Sequence, residues 1–346
     1  MPDASPYAAG RAAERAAEAA ARSADLATLP GAPPADGRRP VILDCDPGHD
    51  DALAIALVLA SPELDVLAIT TVAGNAPLAL TTRNAQRVLA LLGREDVPVA
   101  AGAERPLLRE AWVPSHVHGE SGLDGADLPE PVAAVRTEPA IELQVELIRG
   151  SSRPVTLIPT GPLTNIALLL RAYPAVRDRI AAISLMGGSL GVGNTTASAE
   201  FNVWHDPEAA AIVFESGIPI LMAGLDVTHQ ALVLPDDVAR LEALGTRTGR
   251  VFADLMRFFG AHHRETYGWP GPPIHDAVAV AVLVAPWLIT RRPLFVAVET
   301  GDGLTRGRTV GDERGVAGRA PNAEVLVALD RPAFIDLVVE AVSRFA

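Results

Sequence analysis

The chain contains no lysine: all 29 of its basic Lys/Arg positions are arginine. A P-loop needs its lysine beside the nucleotide phosphates, and a pyridoxal enzyme needs a lysine Schiff base, so both classes fall away. Cysteine is almost as scarce. Cys45 stands alone, which excludes an intramolecular disulfide and a thiolate-rich zinc site. A single cysteine fits a reducing cytoplasm, the expected compartment. Positive charge is in deficit, with a net charge of −13. Nucleic acid and anionic membranes both require a basic face, so neither is an expected partner. Nor is there an uncharged apolar run of about 18 residues, the minimum for a membrane span.

What is present suffices for a large core: 346 residues, 49% of them hydrophobic. Residues 1–38 differ from the rest, being rich in Ala, Arg and Glu and then in Pro and Gly. They read as a flexible extension, with a short helix around Arg11–Arg22. They lack the apolar stretch of a signal peptide, and Glu14 and Glu18 argue against a transit peptide. Residues 39–346 read as one domain. Strands are predicted at 40–44, 65–72, 97–100, 154–159, 180–186 and 218–223, with helices at 49–60, 79–92, 138–149, 162–171 and 206–215. Such alternation implies βαβ units, hence an open, mostly parallel Rossmann-like sheet with helices on both faces. Additional helices follow near 236–244, 247–266 and 275–285, then strands near 294–299 and 324–329 and a closing helix near 332–344. The stretch 101–137 is loop-like, and a loop of that length in a compact domain is usually functional or disordered.

Four aspartates fall within eight residues: Asp44, Asp46, Asp50 and Asp51. They follow a buried-strand pattern and precede an apolar helix, so they lie at the carboxyl end of a strand, where open α/β sheets bind ligands. Asp44 and Asp46 are two apart and share a strand face. One such acid would be a helix cap; four behind a buried strand need a positive partner. All-oxygen ligands favour a hard divalent cation, Ca2+ or Mg2+, over zinc.

Further polar clusters stand just beyond other predicted strands. They are Val72-Ala73-Gly74-Asn75, Pro159-Thr160-Gly161-Pro162-Leu163-Thr164-Asn165, Met186-Gly187-Gly188, Gly193-Asn194, Ala199-Glu200-Phe201-Asn202 and Leu225-Asp226-Val227-Thr228. Each alone reads as a turn or cap. Parallel strands bring all of these ends to one edge, where they can form one pocket. His275-Asp276 opens a small-residue helix. His116 and His118 are spaced as a metal pair, but without a third soft ligand that is weak evidence for zinc; His118 is read instead as lining a substrate pocket.

Together, Asp44-Cys45-Asp46-Pro47-Gly48-His49-Asp50-Asp51, Val72-Ala73-Gly74-Asn75, His118-Gly119-Glu120, Pro159 to Asn165, Ala199-Glu200-Phe201-Asn202 and His275-Asp276 resemble the inosine–uridine-preferring nucleoside N-ribohydrolases, from about residue 40 to the C-terminus. The resemblance implies a Ca2+-dependent nucleoside hydrolase cleaving the N-glycosidic bond of pyrimidine or mixed purine and pyrimidine ribonucleosides. It implies Asp46, Asp51, Asp276 and the Thr160 carbonyl as Ca2+ ligands, Asp50 as general base, and Asp44 as an acid supporting the site. It implies Asn75, Asn194, Glu200 and Asn202 around the ribose, Met186 and Phe201 in the same substrate pocket, and His275 protonating the leaving base. His118, His263 and Tyr267 would line the base pocket, the last two lying one helical turn apart. A homodimer or homotetramer is the usual assembly in such a family.

Two rivals are weighed against it. A haloacid-dehalogenase-like phosphatase fits Asp44-Cys45-Asp46, but expects Thr or Val where Gly48 stands and usually a lysine. A non-catalytic nucleoside sensor would keep the pocket, but has no use for Asp50 and His275.

Overall fold

The computed structural model describes residues 25–29 and 37–345. The helix expected around Arg11–Arg22 lies outside them. Residues 25–29 rest on the body of the protein: Leu29 is buried in the core, and Arg291 reaches Asp25 at 3.4 Å.

In chain order the elements are β1 (Arg39–Cys45), α1 (His49–Ala60), β2 (Leu64–Thr71), α2 (Leu78–Leu91), β3 (Val99–Ala101), α3 (Ser115–His118), α4 (Ala140–Gly150), β4 (Val155–Pro159) and α5 (Thr164–Ala172). There follow β5 (Ile180–Met186), α6 (Phe201–His205), α7 (Pro207–Phe214), β6 (Ile220–Ala223), α8 (Leu225–Thr228), α9 (Pro235–Ala243), α10 (Arg247–Tyr267) and α11 (His275–Val284). The chain closes with β7 (Ile289–Leu294), β8 (Val296–Val298), β9 (Thr309–Gly311), β10 (Ala323–Leu329) and α12 (Arg331–Ser343).

Eight strands form one sheet in the order β3-β2-β1-β4-β5-β6-β10-β7. All neighbours are parallel except β10 and β7. Side chains alternate across it as strand geometry requires: Val41 and Leu43 enter one core, Ile42 the other. The first core takes the apolar faces of α1, α2, α11 and α12, the second those of α4, α5 and α7. α1 and α11 are apolar nearly all round because α11 packs on α1 and both are covered. Successive strands run outward from β1 through β2 to β3, and the chain then returns to pair β4 on the other side of β1. The gap between the carboxyl ends of β1 and β4 is therefore the topological switch point, where such sheets bind ligands.

The strand expected at 294–299 is two strands. β7 ends at Leu294 on the antiparallel edge of the main sheet, and β8 pairs β9 in a separate two-stranded sheet. Arg291, Arg292 and Pro293 hid β7; an edge strand tolerates arginines and a proline that a central strand does not. α3 interrupts the stretch read as a loop over 101–137.

Candidate active site

The floor of the site is built from helix starts. Gly48 caps α1, and its N–H donates to the Asp51 carboxylate at 3.0 Å. Asp50 and Asp51 thus sit in the first turn of α1, and Asp276 in the first turn of α11, where the helix dipole favours negative charge. Asp50, Asp51 and Asp276 each present a carboxylate oxygen, and these lie within 4.8 Å of one another. Thr160, just beyond β4, donates its hydroxyl to Asp51 at 2.8 Å. Asn75 ties two acids together: its N–H donates to Asp46 at 2.7 Å and its amide to Asp51 at 3.3 Å.

Asp46 lies in a cradle of glycine backbone. A Cβ on Gly74 would stand 2.0 Å from Asp46 Oδ2, and one on Gly161 would stand 2.6 Å from Asp46 Oδ1. That Oδ1 is buried and has no hydrogen-bond partner among the described residues, an expensive state for a carboxylate oxygen without a cation. Asp44 is deeper still. Thr70, Gln144 and Asn165 all donate to its Oδ1, and Asn165 also donates to the Thr71 carbonyl at 3.0 Å. Asp44 therefore braces the ends of β2 and α5 from below.

Burial drives the acidities. Desolvation first, then the negative charge of Asp51, pushes Asp50 up to about 7. Asp46 and Asp276 rise well above the carboxylate range, for burial first and the neighbouring aspartates next. Burial alone raises Asp44 to about 7, against its three hydrogen bonds. Crowded buried carboxylates, an orphaned carboxylate oxygen and an all-oxygen donor set fit a hard metal ion.

A cavity of about 630 Å³ opens above this floor. Asp50, Asp276, Thr160 and Asn75 line its base; Asp44, Asp46 and Asp51 do not reach it. Met186, Asn194, Glu200, Phe201 and Asn202 form one side. Glu200 caps α6, accepting from the backbone of Asn202 at 2.8 Å and Val203 at 3.1 Å, and also from Gly188 at 2.8 Å. Burial raises it to about 7. Asn202 donates to the carbonyls of Thr160 at 2.7 Å and Met186 at 3.1 Å. The Thr160 carbonyl keeps a second lone pair for another partner. Asn194 Oδ1 accepts from the Phe201 N–H at 2.9 Å, fastening the loop before α6.

The other side is aromatic and imidazole. His118, His263, Tyr267 and His275 all line the cavity. The rings of His263 and Tyr267 lie 5.8 Å apart, one turn along α10. His275 Nδ1 is 2.7 Å from the Thr228 hydroxyl at the end of α8. Burial drives His118 and His275 well below the usual imidazole range and His263 to about 4. The side chain of His116 lies outside the described residues.

Several pocket residues escaped the sequence reading. His229 packs edge-on against Trp269, with centroids 4.8 Å apart, and lies 5.7 Å from His275. Trp112, from the long loop before α3, meets Trp204 at 5.5 Å and Phe201 at 6.1 Å. Phe259 and His262 complete the lining from α10. These residues lie on loops and helix faces without a motif; Thr228, which holds His275, belongs to the cluster already read just beyond β6.

This fold and site define a nucleoside hydrolase. The model of the inosine–uridine preferring nucleoside hydrolase family matches residues 41–336, and the chain belongs to that family. Among curated relatives, the pyrimidine-specific ribonucleoside hydrolase RihA of Escherichia fergusonii is 50% identical over 308 residues, covering 89% of this chain and 99% of that protein. The protein of the same name from Citrobacter koseri is 51% identical over 308 residues, with the same coverage. Among solved structures, a purine-preferring ribonucleoside hydrolase from Gardnerella vaginalis superimposes with a TM-score of 0.83 at 35% identity, covering 88% of this chain and 98% of that one. A plant nucleoside hydrolase gives 0.81 at 32% identity, with 88% and 99% covered. The chain is thus an enzyme that hydrolyses ribonucleosides, and the phosphatase and sensor readings fall. Among the described residues no helix is long and apolar enough to cross a membrane.

Proposed function

We propose that this chain cleaves the N-glycosidic bond of pyrimidine ribonucleosides, uridine and cytidine, to free base and ribose. One observation carries the chemistry: acids from the starts of two different helices, α1 and α11, converge within 4.8 Å at the base of the cavity. The pyrimidine preference is supported by the 50% identity to relatives named pyrimidine-specific.

Asp46, Asp51, Asp276 and the Thr160 carbonyl would hold Ca2+. When bound, such an ion acts as a Lewis acid that lowers the pKa of a water. Asp50, raised to about 7 and lining the cavity, accepts the proton of the attacking water as general base. Asn75, Asn194, Glu200 and Asn202 hold and orient the ribose hydroxyls, while Met186 and Phe201 pack beside the sugar. The surrounding carboxylates stabilise the positive charge that develops on the ring in an oxocarbenium-like transition state. His275, taken as the imidazolium in the substrate complex, donates its Nε2 proton to the departing base and returns to the neutral imidazole, its ring steered by Thr228. His118, His263 and Tyr267 contact the base. Asp44 keeps the floor rigid through Asn165 and Thr70.

A ribose-release assay across uridine, cytidine, inosine and adenosine tests this, with and without a chelator. Expected are turnover highest on the two pyrimidine nucleosides, loss with chelator, and recovery on adding Ca2+. Turnover highest on inosine would overturn the base preference, and full activity in chelator would overturn the metal.

A further inference from the structure

His49 stands one residue before Asp50, yet its ring does not reach the cavity and is completely buried. It stacks on Phe258 and Phe259, with centroids 5.2 Å from each and interplanar angles of 6° and 9°. Its Nε2 lies 2.8 Å from the Asp124 carbonyl oxygen. A carbonyl only accepts, so this nitrogen carries the hydrogen. A ring enclosed by phenyl faces, with no carboxylate at either nitrogen, is neutral. Its Nδ1 is then a bare lone pair. That lone pair lies 3.1 Å from His118 Nδ1, and two bare nitrogens would repel, so His118 Nδ1 carries a hydrogen. The opposite arrangement would use the His49 backbone N–H as donor to the same His118 nitrogen, a longer contact of 3.4 Å. It would also leave the two imidazole nitrogens facing one another without a hydrogen between them. With Nδ1 protonated, His118 Nε2 is an acceptor, and no described residue occupies it.

We propose that His49 is a positioning residue that holds His118 in the tautomer with its hydrogen on Nδ1, so that the pocket offers the base a hydrogen-bond acceptor at His118 Nε2. Its consequence for substrate choice rests on the nucleoside-hydrolase reading above. The complementary base edge is one with an N–H: N3–H of uracil, or the exocyclic amino group of cytosine. Tautomers follow from partners rather than from ring positions, and here the chain of partners starts at a backbone carbonyl that cannot switch role.

The test uses the full chain labelled with ¹⁵N-histidine, with His118 assigned by its loss in His118→Gln. Imidazole ¹H–¹⁵N correlations should show His118 protonated on Nδ1 and bare on Nε2. An Nε2–H pattern would overturn the proposal. His49→Phe keeps a flat ring between Phe258 and Phe259 but removes both nitrogens; in it, His118 should move toward the Nε2–H tautomer, and an unchanged pattern would also overturn the proposal. In kinetics, the wild type should favour uridine over 3-methyluridine by about tenfold, the scale of one buried hydrogen bond. That preference should shrink in His49→Phe through KM rather than kcat, and an undiminished preference would remove His49 from base selection. If the tautomer is as stated but no nucleoside is cleaved, the functional reading fails and the positioning role stands. If His49→Phe does not fold, the wild-type spectrum still decides.

Discussion

The floor of the cavity and its base-side wall solve opposite electrostatic problems. The floor gathers Asp46, Asp50, Asp51 and Asp276, whose burial penalises the ionised form and raises every pKa. The wall gathers His118, His263 and His275, whose burial penalises the ionised form and lowers every pKa. The same desolvation leaves the acids in need of a cation and favours the neutral form of the imidazoles before substrate binds. Neutral imidazoles can sort donors from acceptors on a base; crowded carboxylates can hold a metal ion and accept a proton. The floor is backbone-built, from strand ends, two helix N-termini and glycines. The wall is side-chain-built, from α10, α11 and a long loop.

Removing the proposed proton acceptor from the floor is the most drastic test of this division. Asp50→Asn keeps the size and most of the packing, so kcat should fall about 10²–10⁴-fold, the usual contribution of a general base. Metal affinity measured by calorimetry should change far less. Near-wild-type turnover would take Asp50 out of the chemistry.

Acid separates the two regions by sign. His205, at the end of α6 behind the pocket, is buried, and neither ring nitrogen has a partner among the described residues. Burial first, then the Arg306 charge, lowers it from 6.5 to about 4. The folded form therefore prefers neutral His205. Its stability is whole above pH 6.5 and is lost as pH falls toward 4, by at most about 3 kcal/mol for one such group. His205→Leu should flatten the fall in melting temperature across that window. A fall equally steep in the variant would exclude His205 as its source.

The division also explains what could be read in advance. Asp44 to Asp51 break a buried strand pattern with charge, a conflict that only a ligand resolves, so the floor stood out. The β1-to-β6 core followed from period-two and apolar-run patterns, and the position of the floor at the switch point followed from the alternation. α3, α6 and α8 are four or five residues long, too short to show a period; α6 exists because Glu200 caps it through tertiary placement. His49, His229, Trp112 and Trp269 join the wall or back it because distant segments meet. A ring on a loop carries no local sign of which ring it will face.

A glycine tests whether the floor depends on backbone closeness. Gly74→Ala places a methyl 2.0 Å from Asp46 Oδ2, so Asp46 or the turn must shift. Displacing a ligand's support typically costs about 10–100-fold in metal affinity. The Ca2+ concentration for half activity should rise by that factor while activity at saturating Ca2+ largely returns. An unchanged Ca2+ requirement would show that Asp46 does not bind the ion.

The smallest expected effect falls on the wall and probes orientation alone. Thr228 touches His275 through one hydroxyl, 2.7 Å from Nδ1. If His275 gives its Nε2 hydrogen to the leaving base, the ring is the imidazolium with hydrogen on both nitrogens, and its Nδ1–H donates to the Thr228 hydroxyl oxygen. Thr228→Val keeps the shape and removes the acceptor, so about 1 kcal/mol of steering is lost, roughly a five- to tenfold fall in kcat/KM on uridine. A riboside whose leaving group departs without protonation should be spared, because orientation of the acid no longer matters. Equal losses on both substrates would mean that Thr228 shapes the pocket rather than aiming the proton.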